Sequence, residues 1–446
     1  MTAAAAGGTA GPAGTSDRTA TADTPELTSP AATPEQTSPA ATPELTSPAV
    51  TPQQTSPAAT PEQTSPAVTP QRTGPAGATG LTGTADATDP AAAATPNAAL
   101  GRVRPGRPIA VATVLLLVAM IIGISVGPAA LSLPAVMDAL LVRLPWHPAM
   151  SVPSLNSAIV WQIRLPRVIL GALVGAMLAG GGAAYQGVFR NPLADPYLLG
   201  VAAGGGLGAT MIIVTGGSPG LLPPAAFAGA LCAVALTYVL GAGPGRGGES
   251  AGSGAATASI VLAGVAVAAL LTAVQTYLQQ QHSQSLPVVY SWILGELSLA
   301  SWSDVSLILP YALVSAVLLI SHRRLLDVLR VGETEAGSLG VNVARLRLTV
   351  VLAATLGTAA AVAVSGLIGF VGIIVPHTVR LTAGASYRIV LPVSMIGGAA
   401  FLVLADVAAR TLQAPAEVPI GVITAAAGAP FFLFILRSRR ARRDLS

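Results

Sequence analysis

All 23 basic residues of this chain are arginine; lysine does not occur in its 446 residues. Arginine is a permanent cation with a planar fork of donors that fits carboxylates and phosphates. Where arginines gather, the chemistry on offer is recognition of anions. The same count excludes other chemistry. A P-loop needs a lysine to reach the β- and γ-phosphates of a nucleotide, so the chain carries no such ATPase and no catalytic residue is predicted. Four histidines and one cysteine, Cys232, are scattered without metal-ligand spacing. No metal site and no resident cofactor are expected, and Cys232, inside an apolar block, reads as a small core residue.

The elements that must position these arginines are membrane spans. The composition is 52% hydrophobic and 9% charged, with mean hydropathy +0.67, but it divides unevenly. Residues 1–105 are rich in Ala, Thr, Pro, Ser and Gly and contain no apolar run. Within them, residues 24–77 repeat every nine positions, from "TPELTSPAA" to "TPQRTGPAG". Two prolines per repeat and nothing to bury predict a disordered, partly polyproline-like tail. The tail is not a secretory signal, because no apolar core directly follows a basic start. From Ile109 onward come apolar blocks, each about 20 residues and long enough to cross a bilayer. They are 109–131, 167–188, 197–216, 223–243, 257–279, 304–321, 348–367, 368–383, 389–408 and 418–436. The fold class is therefore an all-α membrane protein of about ten transmembrane helices. The spanning domain runs over 106–440, and 441–446 form a cytoplasmic C-terminal end.

Arginine placement orients the bundle. With the N-terminus inside, 17 arginines, among them Arg190, Arg330, Arg345, Arg347, Arg380, Arg388 and the cluster from Arg437 to Arg443, fall on the cytoplasmic side. Only Arg143, Arg164, Arg167 and Arg410 fall outside. Both termini are thus expected in the cytoplasm of a cell membrane. Small-residue stretches such as "LVGAMLAGGGAAYQG" (173–187) predict close helix approach. In "RLPR" (164–167), Pro166 suggests a helix start. That would put two guanidiniums at a helix N-terminus, where the dipole disfavours cations and something must compensate. Asp406, four residues before Arg410, is a ready internal partner.

Five stretches carry a family likeness: "RLPRVILGALVGAMLAGGGAAYQGVFRNPLADPYLLGVAAGGGLGA" (164–209), "WILGELSLASW" (292–302), "GETEAGSLGVNVARLR" (332–347), "SGLIGFVGIIVPHTVRLTAG" (365–384) and "ADVAARTLQAPAEVPIGVITAAAGAPFFLFIL" (405–436). On these the chain resembles the FecCD-type, BtuC-like permeases of ABC importers for iron–siderophore complexes, haem and vitamin B12. The likeness covers roughly 109–440. It departs after "TAG", where the family usually has Asp-His-Arg and this chain has Ala385, Ser386, Tyr387 and Arg388. The resemblance implies a second permease subunit (an identical copy or a paralogue), two cytoplasmic ATPase subunits that use ATP, an extracytoplasmic binding protein and surrounding lipid; nucleic acid is not a partner. It also implies that Arg164, Arg167 and Arg410 dock the binding protein. The polar stretch 332–347 would be the ATPase coupling loop, with Glu333, Ala336, Ser338, Leu339 and Gly340 as contacts. The implied cargo is an iron–siderophore or a related chelate, with haem or cobalamin as alternatives.

Other residues read structurally. Pro376 in "VGIIVPHTVR" predicts a kink in a short span, and His377 an interface residue. "RNPLADP" (190–196) predicts a stiff turn, with Asp195 capping a helix that begins at Pro196. Glu417 precedes the last span and receives no role. An ion-gradient transporter, the rival class, would want a carboxylate at the bilayer midplane, whereas Asp406, Glu296 and Asp304 all map near span ends.

Overall fold

The computed structural model describes residues 106–127, 129, 131–141, 154–241 and 253–443. The repeat tail lies outside the described residues. Within them every regular element is a helix: α1 (Gly106–Ser125), α2 (Leu133–Leu141), α3 (Ser154–Ala158), α4 (Leu165–Val188), α5 (Val201–Val214), α6 (Leu222–Gly241), α7 (Ser253–Gln281), α8 (Leu286–Ile293), α9 (Trp302–Leu329), α10 (Glu333–Ser338), α11 (Val343–Ser365), α12 (Val371–Ala383), α13 (Tyr387–Thr411) and α14 (Ile420–Arg443). Seven helical segments are long and apolar enough to span a membrane, and α5, α12 and the apolar part of α14 are shorter. Together these correspond one-to-one with the ten apolar blocks of the sequence.

The boundaries differ where local chemistry intervenes. α1 stops at Ser125 rather than 131, ahead of Pro128, as helices usually do. α9 continues past 321 through charged residues to Leu329, because arginine stems can extend a helix beyond the apolar region. The third block splits into a 3₁₀ turn at Pro196–Leu199, capped by the Asp195 side chain, and α5, with Gly200 at φ 86° between them. Pro166 does not begin a helix. A π-helical turn, Ile159–Arg164, joins α3 to α4, and Pro166 sits in the first turn beyond it. Nor does Pro376 break its segment: α12 runs through it. The interruption lies at Gly366–Phe370, with Gly366 at φ 67° and Phe370 at φ 69°. There the Tyr197 hydroxyl donates to Ile368 O at 3.0 Å and accepts from Ile368 N–H at 3.1 Å, so the freed backbone groups are satisfied within protein.

Helix α4 is the centre of the bundle and packs against α9, α11, α12 and α13. Glycines permit this. A Cβ on Gly175 would lie 2.2 Å from Gly398 O of α13, and one on Gly182 would lie 2.0 Å from Gly372 O of α12. Any side chain at either position would push the helices apart. Residues Leu170, Val174, Leu178, Tyr185 and Leu402 fill the resulting core and are fully or almost fully buried. The α4, α11 and α13 spans are largely buried, whereas α1, α7 and α9 present mostly apolar surface outward.

Candidate functional site

The three arginines singled out in the sequence do converge, at the start of α4 and the end of α13, but inside the protein. Arg164, Arg167 and Arg410 are 3%, 6% and 2% exposed. Each guanidinium is turned inward because the fold supplies its partners. Arg167 Nε and Nη2 donate to Asp406 Oδ1 at 3.0 and 2.8 Å. Its Nη1 and Nη2 donate to Glu417 Oε1 and Oε2 at 2.9 and 2.8 Å. Two carboxylates, distant in sequence, therefore clamp one guanidinium from both sides. Arg410 Nε lies 3.4 Å from Asp406 Oδ2, one helical turn away.

The remaining donors close the end of α1. Arg164 Nη1 donates to Ile124 O at 2.8 Å and Ser125 O at 2.7 Å, and its Nη2 donates to Ala129 O. Arg410 Nη2 donates to Gly123 O at 2.7 Å. These carbonyls have no partner within a helix that stops at Ser125. The negative end of the α1 dipole also favours cations there. Three guanidiniums, two carboxylates and one helix end of about −0.5 charge leave a nearly balanced group. Glu417 is its most accessible member, with 31% of its side chain exposed. Hydrogen bonding to Arg167 holds the Glu417 carboxyl below the usual carboxylate range, against an opposing push from burial. Beside it lies a cavity of about 110 Å³ lined by Arg167, Glu296, Asp406, Glu417 and Pro419, large enough for a few waters.

The second expected site is the connection between α9 and α11. Gly332, with φ 154°, precedes α10, and Gly340, with φ 83°, follows it, so the helix is a single short turn between two glycine hinges. Its five candidate contacts divide. Leu339 is 69% exposed, and Ser338 and Gly340 are exposed beside it. Ala336 is fully buried, and Glu333 accepts from Arg347 Nη2 at 2.6 Å. Both fasten the loop to its neighbours, because a helix this short needs tertiary anchors to persist.

Sequence reasoning missed the role of Glu417, whose signal was Arg167 itself, a cation inside a span requiring more than one counter-charge. It also missed Gln186. Gln186 is buried in α4, its Nε2 donates to Gly372 O at 2.9 Å, and its Oε1 accepts from Arg380 Nη1 at 2.5 Å. His377 is buried, with its ring edge-on to Phe431 at 6.1 Å. Among the described residues no group of His, Cys, Asp and Glu is arranged to hold a metal.

Comparison with known proteins adds a consistent result. The FecCD transport family profile matches residues 115–438. The cobalamin import system permease BtuC of Halobacterium salinarum is 39% identical over 75% of this chain and 96% of its own length. The hemin transport system permease HmuU of Yersinia pestis is 36% identical over 77% of this chain and 99% of its own. A solved structure described as a metal-chelate type ABC transporter, in an inward-facing conformation, aligns with TM-score 0.65 and 29% identity. It covers 75% of this chain and 99% of the other.

Proposed function

Because this chain belongs to the FecCD transport family, as a multi-pass permease subunit of an ABC importer, we propose that its cargo is a metal held in an organic chelator: an iron–siderophore complex, or haem or cobalamin. The observation that carries this is the breadth of the match to relatives named for cobalamin and hemin, which extends over nearly their whole length. Both cargoes are bulky complexes whose metal is already enclosed by its ligand. A path for such a cargo needs no metal ligands of its own, only a shaped, weakly binding surface.

The energy comes from separate ATPase subunits, since a lysine-free chain has no P-loop. The exposed Leu339, Ser338 and Gly340 seat in a groove on the ATPase, and the Glu333–Arg347 pair passes its motion to α11. Two permease subunits and two ATPases make up the assembly. The arginine distribution puts α10 and both termini in the cytoplasm and the Arg167 cluster outside. There an acidic residue of the binding protein displaces the accessible Glu417 from Arg167, so that Arg164, Arg167 and Arg410 act as a recessed docking site rather than an exposed one. An ion-gradient mechanism gains no support from Asp406, because that buried carboxylate is saturated by Arg167 and Arg410.

The decisive experiment is uptake in a strain lacking this gene, with labelled iron–siderophore, haem and cobalamin in parallel. Loss of one class, restored by the intact gene, identifies the cargo; unchanged uptake of all three overturns the reading. Leu339→Asp or Gly340→Trp should leave the chain folded and membrane-inserted while abolishing transport-coupled ATP hydrolysis. Normal coupling would remove α10 from the ATPase contact.

A further inference from the structure

The far end of α4 carries a second arginine group that transport does not account for. Gln186, Arg190, Arg330, Arg380 and Tyr387 line a cavity of about 310 Å³. Its arginines come from three separate segments. Arg190 follows α4, Arg330 caps the end of α9, and Arg380 lies in the last turn of α12. Arg388, in the first turn of α13, stands alongside. The acid facing them is Asp327, 3.7 Å from Arg330 Nη1 and 3.8 Å from Arg388 Nε. Its oxygens are already engaged by shorter bonds from the Ser386 hydroxyl at 2.7 Å and the Tyr387 N–H at 2.6 Å. Three guanidiniums line the opening, and with Asp327 as the one nearby carboxylate they leave two positive charges in excess there.

The arrangement is also held in place. Arg380 donates to the buried Gln186 and, at 3.4 Å, to the Tyr387 hydroxyl, and its guanidinium lies 5.8 Å from the Tyr387 ring centre. Arg190 sits at φ 49°, an uncommon conformation for a residue with a side chain. The turn that follows fixes it: Asn191 Oδ1 accepts from Leu193 N–H at 2.9 Å, and Asn191 O accepts from Ala194 N–H at 3.0 Å. Cations at helix C-termini are favoured by the dipole. That effect alone would direct guanidiniums to the terminal carbonyls, and among the described residues no guanidinium of Arg190, Arg330 or Arg380 donates to one.

We propose that this cavity binds a phosphate-bearing anion. A tetrahedral phosphate offers several acceptor oxygens to converging forks, which suits three arginines arriving from different directions. Two sources share this chemistry. One is the headgroup of an anionic phospholipid, for which basic pockets between helices at the membrane surface are suited; the other is a free phosphate compound.

The test uses the purified full-length chain in detergent micelles. Native mass spectrometry follows retention of phosphatidylglycerol against phosphatidylcholine, and calorimetry follows inorganic phosphate and pyrophosphate. The double variant Arg190→Gln/Arg330→Gln removes two exposed cavity arginines, and Arg323→Gln/Arg324→Gln removes two others from α9 that do not line the cavity. Saturable binding weakened about tenfold or more in the first variant and preserved in the second supports the pocket. Retention of phosphatidylglycerol alone assigns the lipid headgroup; binding of phosphate or pyrophosphate with the same loss assigns a free ligand. Equal loss in both variants, or no saturable binding of any of the probes, overturns it. Matching melting temperatures of the two variants confirm that folding is not the cause.

Discussion

At one end of α4, Arg167 places its guanidinium between two carboxylates; at the other end, the Arg190 guanidinium makes no hydrogen bond or ion pair among the described residues. The first group is buried, nearly neutral and drawn from α4, α13 and the loop before α14. The second is open, two charges in excess and set around a cavity. The difference teaches that an arginine count along a sequence does not distinguish a cation that holds a fold from one that awaits a ligand. What separates them is the number of acceptors brought within reach. A cation in a low-dielectric interior needs that full complement, and one at an aqueous rim does not.

The comparison can be broken most forcefully at Asp406. Asp406→Asn leaves Arg167 and Arg410 short of their shared counter-charge. Losing one partner of a buried ion pair costs about 3–5 kcal/mol, so unfolding in detergent should shift by that amount. A shift below about 1 kcal/mol would mean that the cluster is solvated like a surface pair. Next comes Arg164→Leu, which frees the carbonyls of Ile124 and Ser125. Leaving buried acceptors unsatisfied costs about 1–3 kcal/mol, and hydrogen exchange should show the end of α1 opening while α4 stays protected.

Glu417→Gln should cost less, about 1 kcal/mol, because Arg167 keeps Asp406 and the site is part-exposed. The pH dependence sharpens this. The Glu417 carboxyl is more acidic in the folded chain than in the unfolded one, so its stabilisation is complete above the ordinary glutamate pKa of about 4.3 and is lost as pH falls through the lower folded value. The stability gap between the intact chain and Glu417→Gln should be full at pH 7 and shrink in acid; a gap that widened on acidification would reverse the assignment. The smallest effect is expected at the opposite end. Arg190→Gln/Arg330→Gln should change stability by no more than about 0.5 kcal/mol, as for exposed residues outside a network. A loss comparable to that of Asp406→Asn would show this group to be structural as well.

Apolar run length was enough to place ten apolar helices, and it missed at their ends for identifiable reasons. Gly200 takes a backbone conformation that divides an apolar stretch, 197–216, which hydropathy left whole. The charged end of α9 remains helical because a helix needs backbone bonds, not apolar side chains. At the candidate sites, residue types were informative and side-chain directions were not. Ala336 is buried within α10 whereas Leu339, the residue at which that helix ends, is exposed, a difference that their spacing in the sequence does not carry.

From the sequence alone came the membrane class, the number of apolar helices and the suspicion that arginines matter. These follow from composition and period, which are local properties of the chain. Only the tertiary structure decided which arginines are paired, because the pairing of Arg167 with Asp406 and Glu417 joins residues more than 230 positions apart. The same holds for the gathering of Arg190, Arg330 and Arg380 around one cavity. Charge balance within a few ångströms depends on which helix ends meet, and that is set by the close glycine contacts of α4 with α12 and α13.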